Sequence, residues 1–284
     1  MIRSLTSAVS GIQQFQETMD VIGNNIANVN TVAFKSATTD LADSFSQTLA
    51  TSNLGGGESE QIGLGVTTQA ITNNYTQGAI NPTGVQTDLA VSGNGFFIVK
   101  NPSSSEVFVT RAGNFHVDQN SYLVTNSGFR VQGYTNPALD SVGDIKIDGT
   151  QRPSSASSSA TMSAFSIDTT GKITISLSDG SEYITGQVLM QNFSNPQGLV
   201  KEGNNLYSGI GAAGPIGGAT SPTPAGAGTN GLGNIQSGAL EQSNVDLSNE
   251  FSNLITTERG FQANARVITT SDEMLQELVN LKRS

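Results

Sequence analysis

Side chains able to do acid–base, nucleophilic or metal chemistry are few in this chain of 284 residues. It has one histidine, His116, and no cysteine. The missing cysteines remove thiolate nucleophiles, disulfides and zinc–thiolate sites together. His116 falls at an alternating position in a segment of strand character, and a lone imidazole cannot readily supply the nucleophile-and-base pair that hydrolysis needs. Asp144 and Asp148 flank the short alternation Ile145, Ile147 and could hold a cation. Two carboxylates fall well short of the roughly six to eight oxygens that calcium takes, so solvated strand ends are the simpler reading. Gly93-Asn94-Gly95 resembles a phosphate loop in composition only. Such a loop leads into a helix N-terminus, whereas Phe96-Phe97-Ile98-Val99 reads as strand and makes Ser92 to Gly95 a hairpin turn. The pattern assigns no catalytic, cofactor-binding or metal residue and points away from an enzyme.

Composition narrows the partners. Lys and Arg number 13 against 23 acids, a net charge of −10, and that field disfavours nucleic acid and anionic membranes. No run approaches the roughly 18 apolar residues of a membrane span. Arg3 is the only early base, and Gln13, Gln14, Gln16 and Glu17 interrupt the apolar residues, so any export is expected without a cleavable signal peptide. Only 13% of residues are charged; a polar, weakly self-repelling surface of this kind suits packing against copies of itself.

The elements that must position these residues differ between the ends and the middle. Near the N-terminus Ile2, Leu5, Val9, Ile12, Met19 and Ile26 form one row at helical spacing, and Phe15, Ile22 and Val29 widen the stripe. Asn28, Asn30 and Thr31 end it. Near the C-terminus Leu247, Phe251, Leu254, Phe261, Ala265, Ile268, Leu275 and Val279 fit a four-three heptad row, with Glu258, Asp272 and Lys282 in the remaining places. Asp246 or Ser248 can cap that helix. Between the ends, alternation and turn signals predict short strands at 88–99, 107–117, 122–125, 129–134, 145–147, 165–167, 173–177 and 188–193. Residues 154–160 and 209–233 read as loops. The fold class is therefore α+β: long terminal helices paired as a coiled coil, around a central, mostly antiparallel β domain. The terminal helical domain is expected over 1–65 and 235–284, and the β domain over 66–234, with a short insertion around 137–186. Two helices meeting along one seam bury only part of each stripe, so the ends are expected to be marginal alone. Trypsin should then cut at Arg3, Lys35, Arg259 and Arg266 before Arg111 and Arg130.

Two stretches carry a family resemblance. Asp20-Val21-Ile22-Gly23-Asn24-Asn25-Ile26-Ala27-Asn28-Val29-Asn30-Thr31, with Phe34-Lys35-Ser36, resembles the N-terminal signature of bacterial flagellar rod and hook proteins. Ser237 to Leu247, then Glu258-Arg259-Gly260-Phe261-Gln262-Ala263-Asn264 and Thr269 to Leu281, resemble the same family's last helix and its entry. Leu89 to Val99, Arg111 to Phe115 and Gln191 to Leu199 resemble its β domain. The resemblance implies export through the flagellar type III apparatus and helical self-assembly into a hollow, torque-transmitting tube, with the terminal helices lining its inner wall. The implied partners are copies of the chain and neighbouring axial proteins of the rod, hook cap and junctions, in the basal body or hook outside the cell. With Asn24, Asn25 and Asn28 added, the apolar residues from Leu5 to Ile26 and from Leu247 to Val279 form the expected subunit interface. Met274 to Leu281 looks most like the hook members. The short span 137–186 leaves little room for the outer domains of typical hook members and keeps a distal rod subunit as the alternative. Outside the class, a surface-binding module would need an exposed aromatic patch.

Overall fold

A computed structural model describes residues 2–50, 60–104, 106–148, 160–216, 225–229 and 231–281. These comprise two α-helices, one short 3-10 helix (Pro196–Gly198) and twenty strands, every named strand pair among them being antiparallel. The chain divides into two compact units: residues 1–29, 36–74 and 245–284, and residues 30–35 and 75–244.

The first unit holds helix α1 (Ile2–Ala27) and helix α2 (Leu247–Leu281). They run antiparallel: Asn25 bonds Glu250, Phe15 meets Gly260, and Gly11 meets Asn264. Of the two expected caps of α2, Asp246 serves, its Oδ1 accepting from the Ser248 N–H at 2.9 Å. Strands Ala37–Asp43 and Val66–Asn73 pair in this unit, as do Ser46–Ala50 and Glu60–Gly63. These strands were not read from the sequence. Thr, Ser and Gln fill both faces of the Thr-Thr-Gln and Ser-Gln-Thr runs, so no alternation of apolar with polar marks them.

The second unit is built on a twelve-stranded sheet. At its centre Phe96–Lys100 pairs with Val107–Thr110 on one edge, and with Arg130–Tyr134 and Met190–Gln191 on the other. Phe97 and Val99 enter one core with Phe115, Val131 and Ile173. Phe96 and Ile98 enter a second with Val109, Phe193 and Tyr207. A strand buried on both faces has no polar side, which is why this run reads as continuously apolar. Lys172–Leu177 is the contrasting case: Ile173, Ile175 and Leu177 are buried and the residues between them half-buried, as the alternation predicts.

The hairpin reading around Gly93 is corrected. Leu89–Ser92 pairs with Asn234–Ser237, not with Phe96–Lys100. Local turn chemistry could not reveal a partner some 140 residues away in sequence. The turn is instead held from within by the Arg111 guanidinium, which donates to the carbonyls of Val91, Gly93 and Gly95. Gly93 and Gly95 have φ of 111° and 133°, which side chains rarely adopt. Residues 142–144, 162–167, 172–177 and 182–188 join the same sheet, so the described residues of 137–186 contribute to this unit. Residues 154–159, 217–224 and 230 of the two expected loops lie outside the described residues; Ala213, Ala227 and Leu232 of the second are buried.

Candidate assembly surface and its anchoring residues

The face of α2 toward α1 differs from the four-three apolar row. Its less exposed positions are Glu250, Leu254, Thr257, Gly260, Phe261, Asn264, Ala265, Ile268, Ser271 and Leu275. Leu254, Phe261, Ala265, Ile268 and Leu275 are shared with that row. Phe251, Glu258, Asp272 and Val279, all exposed, give way to a small or polar column seven residues apart: Glu250, Thr257, Asn264 and Ser271. Close approach explains the exchange. A Cβ on Gly260 would lie 2.8 Å from the Phe15 ring, and one on Gly11 only 2.6 Å from the Asn264 amide. At that separation a large side chain at every second seam position has no room, so compact groups occupy it. Thr257 and Ser271, the only buried residues of α2, turn their hydroxyls back onto the Asn253 and Val267 carbonyls.

The expected interface residues fall into three groups. Asn25 is 1% exposed. Leu5, Ile12, Met19, Ile26, Asn28, Leu254, Phe261, Ala265, Ile268 and Leu275 are half-buried. Val9, Asn24, Leu247, Phe251 and Val279 are exposed, Phe251 and Val279 by 50% and 58%. Ile255, Met274, Leu278 and Leu281 add exposed apolar surface to α2 that its four-three row omits, and Phe45 lies 85% exposed between paired strands of the same unit.

The β unit contains an ionic node that charge counting missed. Lys35 Nζ donates to Glu241 Oε1 at 2.7 Å and to the Thr76 carbonyl at 2.8 Å. Arg111 Nε donates to Glu241 Oε2 at 2.7 Å, and the Gly78 N–H reaches Oε1 at 2.9 Å. All three charged side chains are almost fully buried. Burial pushes the Glu241 carboxyl up, but the charges and hydrogen bonds of Arg111 and Lys35 outweigh it and hold it below the ordinary range. Burial lowers Lys35, against the attraction of Glu241. The two shifts disagree about the pair. Glu241 governs, because its carboxylate is shared by two cations and a backbone N–H. Lys201 completes the anchorage: its Nζ donates to the Lys35 carbonyl at 3.0 Å and sits 4.8 Å from the Phe34 ring centre. Burial lowers its pKa too. Lys35 is thus a core residue of the β unit, which corrects its placement among the early-cut trypsin sites. The sequence held one signal: Lys35, Arg111 and Glu241 each lie in a stretch that carried the family resemblance.

The other candidate groups are accounted for. His116 is exposed on the strand Phe115–Val117, opposite Val124. Asp144 accepts from Arg130 at 2.8 Å and Gln132 at 2.7 Å, and Asp148 pairs with Lys146 at 2.5 Å. Among the described residues no three His, Cys, Asp or Glu side chains gather as a metal site would require.

Known families match at both ends and in the middle. The description "Flagella basal body rod protein" matches residues 5–35, "Flagellar hook protein FlgE/F/G D1 domain" residues 90–175, and "Flagellar basal body rod FlgEFG protein C-terminal" residues 236–281. The chain is 42% identical over 288 residues to flagellar basal-body rod protein FlgG of Bacillus subtilis (strain 168), covering 100% of both chains. It belongs to the flagellar rod and hook protein family. As a member it is a structural subunit of the flagellar rod or hook. Another relative, flagellar hook protein FlgE of Borreliella burgdorferi, is 29% identical over 450 aligned residues that span 99% of this chain and 100% of that protein. The FlgG of that organism is 31% identical over 291 residues, with 100% of both chains covered. No helix among the described residues is long and apolar enough to cross a membrane.

Proposed function

We propose that this family member is a distal rod subunit that polymerises helically into a hollow axial tube and performs no chemistry. The observation that carries the reading is the fate of residues 137–186. Their described strands belong to the main sheet, and among the described residues they form no separate outer body of the kind typical hook members insert. The co-extensive match to rod proteins supports it. Here α1 and α2 act as a coiled coil of the polymerisation domain. The interface with neighbouring copies and axial proteins uses Leu5, Val9, Ile12, Met19 and Ile26 with Asn24 and Asn28, and the outer flank of α2 at Leu247, Phe251, Ala265 and Val279. Export passes through the flagellar type III apparatus.

A second reading is the hook, favoured by the hook relative that spans 99% of this chain. Cryo-electron microscopy of native hook–basal bodies decides between them. Density for this subunit in the straight segment below the hook is the expected result. Density only in the curved segment assigns it to the hook, and density in neither overturns both readings.

A further inference from the structure

The α1–α2 seam repeats every seven residues. Leu254, Phe261, Ile268 and Leu275 stand in one column of α2, and Thr257, Asn264 and Ser271 in the next. A repeat of this kind is nearly self-similar on sliding by one heptad, because the columns keep their character. Something outside the repeat must select one register.

Asn25 has the required properties. Its Oδ1 accepts from the Ala37 N–H at 3.0 Å, while its Nδ2 donates to the Ala37 carbonyl at 2.8 Å and to Glu250 Oε1 at 3.0 Å. The amide thus bonds both backbone groups of the first residue of the strand Ala37–Asp43, with its remaining N–H on α2. An aspartate could not donate, and an aliphatic side chain could do neither. Glu250 is the one charged member of its column. Burial raises its pKa and the Asn25 hydrogen bond opposes this. If α2 slid by seven residues one way, Thr257 would face Asn25, and it does not reach as a glutamate does; slid the other way, the helix, which begins at Leu247, would present no residue there at all. Phe15 supplies a steric check at the same register. It lies over Gly260, where even a Cβ would stand 2.8 Å away, while sliding would present Val267 or Asn253.

We infer that Asn25 is the register-setting residue of the terminal helix pair, fixing α2 against α1 through Glu250 and tying both to the first β-strand. This concerns the pairing within one chain and stands apart from the rod or hook reading, which its test does not touch.

The chain has no cysteine, so an introduced pair gives an unambiguous disulfide readout. Cysteines at 11 and 264 report the observed register; pairs at 11 and 257, and at 11 and 271, report slips of seven residues either way. The full-length chain should form the 11–264 disulfide predominantly. With Asn25→Leu added, its yield should fall about tenfold, the size expected for loss of a buried hydrogen bond worth about 1.4 kcal/mol, and one of the slipped pairs should form. Glu250→Leu should act likewise, whereas Glu250→Gln, which keeps an acceptor, should retain the 11–264 pair. Unchanged 11–264 yield in both leucine variants overturns the inference. So does loss of every disulfide in both, which would mean that the helices separate and do not slide. Failure of the parent pair to form overturns it as well.

Discussion

The strand Phe96–Lys100 and the helix α2 are both rich in large apolar residues, and they use them in opposite ways. Phe96, Phe97, Ile98 and Val99 are each at most 5% exposed, whereas Phe251, Ile255, Leu278 and Leu281 are 49–71% exposed. The strand sits between two cores and completes its burial inside the β unit. The helix turns one narrow seam to α1 and leaves its flanks uncovered. At about 25 cal/mol for each Å2 of apolar surface removed from water, the β unit gains its stability in folding. A large part of α2's potential gain remains available for contacts with other subunits.

The largest effect should come from breaking the ionic node. Glu241→Ala leaves Lys35 and Arg111 buried without their counter-charge and should cost the β unit about 3–5 kcal/mol, read by denaturant unfolding. The same residue sets an acid limit. Its folded pKa is lowered, so its contribution is complete above the ordinary carboxyl pKa of about 4.3 and is lost as pH falls through the lower folded value. Glu241→Gln should flatten that acid limb, and an unaltered limb would remove Glu241 from the account.

A pair of alanine substitutions tests the contrast directly. Phe97→Ala should destabilise the β unit by about 3–5 kcal/mol. Phe251→Ala should change the unfolding of the dilute chain by less than about 0.5 kcal/mol yet slow seeded polymerisation. Equal effects on unfolding would abolish the distinction between the two regions.

Charges on the helix refine it. Phe261→Asp or Leu275→Asp places a carboxylate on the half-buried seam at a cost of several kcal/mol. Polymerisation should fail while the melting temperature of the β unit stays put. Gln262→Asp, on the exposed side, should assemble normally. A monomer of either seam variant that melts much earlier would show the helices contributing to the β unit's own stability.

The smallest effect is kinetic. Limited trypsin digestion should cut at Arg259 and Arg266, exposed on α2, before Lys35 and Arg111, whose side chains are buried in the node. Early cleavage at Lys35 would mean that the node opens in the dilute chain.

Local pattern alone determined the two terminal helices and the strand at Lys172–Leu177 and narrowed the cap of α2 to Asp246 or Ser248, because each rests on neighbours within one or two turns. Three things belonged to the tertiary structure. The seam of α2 moved onto Thr257, Asn264 and Ser271 because the closeness of α1, set at Gly11 and Gly260, rewards small size over apolarity. Leu89–Ser92 took Asn234–Ser237 as its partner because Arg111 fills the intervening turn and the matching edge comes from far along the chain. Lys35, Arg111 and Glu241 became one buried group although they lie up to 206 positions apart. Spacing along a sequence carries no record of a distance of 2.7 Å between such residues; only folding brings the charges together, and burial then makes each depend on the others.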